Sequence, residues 1–178
     1  IGRVAIGDLL KKAAARFPDR VAVTDGARRV TFTELERDAN RFANALLGLG
    51  LQKGERVILA LPNLPQWVIA FYGTLLAGGV VVFAQPGAPP EQLIQVIRTS
   101  GARVLVTGAG GFLGGYLART LLALHTLGKV EKPVQVIGLV RNAARTHDSL
   151  VDLVASPHFT PLAWDLNTIG VPDVGDID

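Results

Sequence analysis

The sequence predicts an α/β protein: a doubly wound, mostly parallel sheet with helices on both faces. Three observations predict it. Short apolar runs recur along the chain, at Val57–Leu61, Val80–Phe83, Val104–Val106 and Val134–Val140, as strands covered on both faces require. Stretches of helical length and spacing separate them, as at Leu35, Phe42, Leu46 and Leu49. Glycines and prolines punctuate the boundaries. Strands alternating with helices imply parallel pairing.

Taken in order, Thr33-Glu34-Leu35-Glu36 reads as a capping box that opens a helix, and Gly50 as its end. Val57–Leu61 is the next strand. Pro65 suits the first turn of the helix that follows, because proline lacks an N–H that would be unpaired there anyway. Gly78-Gly79 breaks that helix, and Val80–Phe83 reads as a buried strand. The 18 uncharged positions from Trp67 to Ala84 nominally reach membrane-span length. The paired glycines and the change to a β-branched run favour helix plus strand instead. Pro89-Pro90-Glu91 opens a helix that runs to Ser100, and Arg103–Val106 is a strand.

The stretch richest in chemistry follows. Thr107-Gly108-Ala109-Gly110-Gly111-Phe112-Leu113-Gly114 stands between that strand and a helix carrying Tyr116 to Leu122. Such a turn offers backbone N–H groups and a helix N-terminus to an anion. Glycine lets backbone approach phosphate without a Cβ in the way. The spacing G-x-G-x-x-G fails, since its last glycine would fall on Leu113, and no lysine follows to complete a triphosphate loop. T-G-x-x-G-x-x-G fits, through Gly108, Gly111 and Gly114. This resembles the extended short-chain dehydrogenase/reductase family, which includes nucleotide-sugar epimerases and has a Rossmann-like fold. The resemblance covers residues from about 103 to 178 and implies a bound dinucleotide, NADP or NAD. Gly108, Gly110, Gly111, Phe112, Leu113 and Gly114 would hold its pyrophosphate.

The strand Val134–Val140 would end beside the adenosine ribose, where an acid favours NAD. Here Arg141 and Asn142 follow, with Arg145 beyond. A guanidinium matches a 2′-phosphate, which tilts the expectation to NADP; the alternative is that Arg141 caps the strand end in solvent. Phe159–Leu166 is similar to the family's third strand, so the resemblance places Asp165 and Leu166 at the adenine. The family's proton-relay Tyr-x-x-x-Lys pair is missing: Tyr72 and Tyr116 are followed four positions on by Leu76 and Thr120. The expectation is a dinucleotide-binding fragment, inactive alone.

Residues from about 6 to 106 resemble a second family. Phe17-Pro18-Asp19-Arg20-Val21-Ala22-Val23, Val30–Leu35, Ala39-Asn40-Arg41, Gly50–Val57, Leu61-Pro62-Asn63 and Ala77–Val82 occur in the order seen at the start of acyl-adenylating enzymes, which include acyl-CoA synthetases and peptide-synthetase adenylation domains. This alternative implies ATP and CoA as cofactors and a ligase. The resemblance also implies later parts: a phosphate loop ending in Pro-Lys-Gly, an aromatic motif ending in Thr-Glu, a ribose-binding Asp and a C-terminal catalytic Lys. None is recognised in this chain. Two segments are therefore expected, 1–102 and 103–178, meeting within a strand that suits both families and open to one continuous sheet. A chimeric, non-enzymatic scaffold is a third reading, prompted also by the Ile in place of an initiating Met.

Composition narrows the rest. Half of the 178 residues are apolar, and there is no cysteine, which excludes disulfides and thiol chemistry. His125, His147 and His158 show no ligand spacing, so no metal motif is expected. Net charge +3 is thinly spread, and Lys11-Lys12 and Arg28-Arg29 lack interleaved aromatics, which argues against nucleic acid as a partner. The absence of cysteine and of a signal-peptide pattern at the first residues suggests a cytoplasmic protein, with no membrane partner.

Overall fold

The computed structural model describes residues 5–108, 112–128, 134–140 and 150–163. They fall into two compact units, Ile1–Gly54 with Asn63–Val80, and Glu55–Pro62 with Val81–Thr168.

The first unit is a small hairpin with three helices. Strands β1 (Val21–Asp25) and β2 (Arg28–Thr31) pair antiparallel, Asp25 facing Arg28. Gly26 turns the corner at φ +57°, a conformation that favours glycine. Helix α1 (Ile6–Arg16) precedes the hairpin, and α2 (Phe32–Gly48) and α3 (Pro65–Leu76) follow it. The capping box of α2 is not Thr33/Glu36 but Thr31/Glu34. The Thr31 hydroxyl accepts from the Glu34 N–H at 3.2 Å, and the Glu34 carboxylate accepts from the Thr31 N–H at 2.8 Å. Thr33 donates its hydroxyl to the Pro18 carbonyl instead, tying the helix start to the preceding loop.

Gly50, at φ +80°, ends α2: its N–H reaches the Leu47 carbonyl, and Leu51 N–H reaches Leu46. This double closure satisfies carbonyls that the helix end leaves open. Gly78 and Gly79 close α3 in the same way, onto Leu75 and Thr74. Leu10, Val30, Leu35, Phe42, Leu46, Leu51 and Ile69 are buried.

The second unit holds the sheet. Strands β3 (Arg56–Ala60), β4 (Val80–Phe83), β5 (Val104–Thr107), β6 (Gln135–Val140) and β7 (Phe159–Ala163) lie in the order β4-β3-β5-β6-β7. β3/β5, β5/β6 and β6/β7 are parallel, with Ala60 beside Thr107, Thr107 beside Gly138 and Val140 beside Ala163. Helices α4 (Pro90–Ser100), α5 (Phe112–Thr126) and the single-turn α6 (Val151–Val154) connect them. Leu93 and Ile97 of α4, Leu117 and Leu121 of α5 and Leu153 of α6 pack with Ile58, Leu105 and Val136 of the strands in one core. Val57, Leu59 and Val106, at the alternate strand positions, are buried as well. This is the expected doubly wound α/β architecture.

One strand departs from expectation. Val80–Phe83 is the outermost strand, and Val80 and Phe83 are 46% and 60% exposed. An apolar run reads alike whether a strand sits at the centre or the edge of a sheet. Trp67–Ala84 divides into α3 and β4, and no helix among the described residues is long and apolar enough to cross a membrane.

Candidate functional site

The strand order reverses between β3 and β5. From β3 the chain proceeds to β4 on one side, and from β5 to β6 on the other. In open parallel sheets the crevice beyond the carboxyl ends of two such strands is where ligands enter. Leu61 and Pro62 follow β3 at this point, and Gly108 follows β5.

The expected strand and helix are present: β5 ends at Thr107, which is buried, and α5 begins at Phe112. Gly108 is half-buried, and a Cβ added there would meet nothing within 4 Å. The protein's own packing therefore does not require glycine at 108. Phe112 and Leu113 are the first two residues of α5, and Gly114 is buried in its first turn. Gly110 and Gly111 lie outside the described residues, as do Arg141, Asn142, Asp165 and Leu166. The strands that precede them end on one edge of the sheet, since Val140 and Ala163 are in register.

A second concavity lies in the first unit. A shallow cleft of about 250 Å³ is lined by Val23, Thr24 and Asp25 of β1 and by Asn63, Leu64, Pro65, Trp67 and Val68 around the start of α3. Its carboxylate, Asp25, pairs with Arg28 at 3.7 Å. The cleft is smaller than the usual site for a drug-sized ligand.

Three acidic groups elsewhere are tied into the local structure. Glu34 is held below the ordinary carboxylate range, first by the Thr31 backbone N–H and then by the Thr31 hydroxyl. Asp152 is held low by its hydrogen bond to Arg119, whose guanidinium is raised in turn; the pair ties α5 to α6, with Nη2 at 2.9 Å from Oδ1. Asp38, fully buried on α2, accepts from Arg37 Nε at 3.0 Å, while its second oxygen has no hydrogen-bond partner. Among the described residues no three His, Cys, Asp or Glu side chains gather as a metal group. Two histidines do meet: the rings of His125, in the last turn of α5, and His158, before β7, lie 4.2 Å apart. Sequence spacing missed this pair because the chain folds back across the sheet to form it.

Comparison with known proteins places the chain. The family model described as "AMP-binding enzyme" matches residues 10–167. The chain is 41% identical over 99 residues to the long-chain-fatty-acid–CoA ligase of Bacillus subtilis, covering 56% of this chain and 18% of that one. It is 40% identical over 124 residues to the salicyl-AMP ligase / salicyl-S-ArCP synthetase of Mycobacterium tuberculosis, 66% of this chain and 22% of that one. Among solved structures it resembles a benzoate CoA ligase from Burkholderia xenovorans LB400, with TM-score 0.62, 26% identity, and coverage of 80% of this chain and 27% of that one. The N-terminal subdomain of Klebsiella oxytoca NpsA gives TM-score 0.57 at 28% identity, over 61% of this chain and 29% of that one. The chain spans about a fifth of the length of the curated relatives it matches.

These findings correct the main sequence reading, an NAD(P)-binding fragment of a dehydrogenase or epimerase. A single adenylating-enzyme model runs past residue 103 and on to 167, through the stretch assigned to the dinucleotide fold. The physical reason is plain. A strand, a glycine turn and a helix form the same corner in any doubly wound sheet, so glycine spacing marks the corner rather than the nucleotide that meets it. The alternative reading stands, and the chain belongs to the AMP-binding enzyme family.

Proposed function

We propose that this chain supplies the N-terminal part of an acyl-adenylating ligase. The observation that carries the reading is the family match to residues 10–167, whose bounds span the two segments that the sequence alone divides. The whole enzyme would use ATP and a carboxylic acid. The carboxylate oxygen attacks the α-phosphorus, pyrophosphate leaves, and an acyl-adenylate forms; a thiol such as that of CoA then attacks the acyl carbon and displaces AMP as the thioester forms. The relatives named for long-chain fatty acids, salicylate and benzoate support a carboxylic acid as the substrate class. The part played by these residues is architectural. The paired closures of α2 and α3 order the first unit, the apolar strands build the sheet of the second, and no Pro-Lys-Gly loop stands among the 178 residues.

A graft tests this. Residues 6–106 replace the matching segment of the Bacillus subtilis ligase, and ATP–pyrophosphate exchange is measured with a long-chain acid. The expected hybrid is folded and exchanges pyrophosphate in an acid-dependent manner. A soluble, folded hybrid with no exchange overturns the proposal. The isolated chain is expected to show no exchange.

A further inference from the structure

We propose that His125 and His158 form a two-point binding site for a divalent transition-metal ion of the zinc type. The two residues come from different elements of one unit, the last turn of α5 and the turn that leads into β7. Their backbones are fixed. The His125 carbonyl accepts from Gly128 N–H at 3.0 Å, and the His158 carbonyl accepts from Val136 N–H at 2.8 Å, the bond that seats it beside β6. The His158 N–H donates to the Ser156 hydroxyl at 3.3 Å. Both residues are half-buried, which leaves part of each open to water.

The spacing suits chelation. A metal about 2.0–2.1 Å from one nitrogen of each ring, with an N–metal–N angle of about 90–110°, puts the ring centres roughly 4.5–5.3 Å apart. The observed 4.2 Å, with ring planes at 63°, is a few tenths of an ångström shorter than this, so the rings must part slightly and turn a nitrogen each toward the ion. Among the described residues neither ring is committed to a hydrogen bond, which leaves the ring nitrogens available. Two neutral imidazoles with water completing the shell favour zinc, copper or nickel over magnesium or calcium, which take oxygen ligands. The surroundings add no third His, Cys, Asp or Glu among the described residues, so the site is a chelate of two side chains.

The test titrates the full chain with zinc chloride by calorimetry, with magnesium chloride as the comparison. One saturable zinc site is expected, weakened at least about tenfold in His125→Gln and in His158→Gln, the loss that follows when two nitrogen ligands become one. His147→Gln is expected to bind as the parent does. Zinc binding that survives in the His125→Gln/His158→Gln double variant overturns the proposal, as does the absence of a saturable site. Imidazole nitrogen resonances of the unmutated, nitrogen-15-labelled chain give an independent reading that needs no variant to fold. Zinc must shift one ring nitrogen each of His125 and His158, and shifts confined to other histidines, or none, would reduce the pair to a simple ring contact.

Discussion

A Cβ placed on Gly73 would lie 2.7 Å from the carbonyl oxygen of Ala39 and 2.8 Å from the ring edge of Phe42. Helices α3 and α2 therefore touch at bare backbone, and the contact fixes how closely the two can pack. Gly73→Ala gains about 1 kcal/mol of helix propensity. It also forces backbone and a fully buried Phe42 apart, so the expected outcome is a net loss of about 1–3 kcal/mol in urea unfolding followed by tryptophan fluorescence. A stabilised variant would show that the helices can separate freely.

The Thr31/Glu34 box gives a pH-dependent prediction. The Glu34 carboxyl titrates lower folded than unfolded, because the Thr31 N–H and hydroxyl favour its charged form. Its contribution is then complete above the unfolded value, about pH 4.3, and fades as the pH falls through the folded value. Glu34→Gln is expected to flatten the stability profile in that acid window. Thr31→Ala removes the cap itself and should cost about 0.5–2 kcal/mol at neutral pH. Thr33→Ala is expected to spare the cap and lose only the tie to Pro18.

Asp38 invites the opposite kind of substitution. Its carboxylate is fully buried with one oxygen unpartnered, while the side chain of Arg37 is 51% exposed. Replacing Asp38 by Leu removes a desolvated charge and leaves no buried cation behind. The expected change in unfolding free energy runs from neutral to a gain of about 1–2 kcal/mol. A loss above about 1 kcal/mol would show that the pairing of Asp38 with Arg37 and Arg41 outweighs the cost of burying it.

Arg119 and Asp152 make a forked contact, yet both are largely in solvent. Asp152→Asn is expected to change stability by less than about 1 kcal/mol, and raising salt should erase the difference. A large, salt-insensitive loss would mean that the link between α5 and α6 holds the unit together.

The strands were legible because a doubly wound sheet needs unbroken apolar runs, and Val57–Leu61, Val104–Val106 and Val134–Val140 supply them. The start of α2 was misplaced by two residues. Thr31-Phe32-Thr33-Glu34 offers two threonines, and only the fold shows that Thr33 turns to Pro18. The β1/β2 hairpin went unread although Asp25-Gly26 is a turn signal, because the flanking strands are short and partly exposed. Gly73, Asp38 and the His125/His158 pair carry no local signature at all; each acquires meaning from a helix or strand distant in sequence. The strand before the glycine run and the helix after it were read correctly, and the run was assigned to the wrong family, since backbone geometry is shared across the fold while ligand choice is not.

Strand β4 has a further consequence. It stands at the end of the row of described strands, and Val80 and Phe83 are largely exposed there. A rim of that kind is a template for self-association. Concentrated preparations of this polypeptide should therefore form β-rich aggregates through residues 80–83, and a lysine substituted for Val80 should keep them in solution.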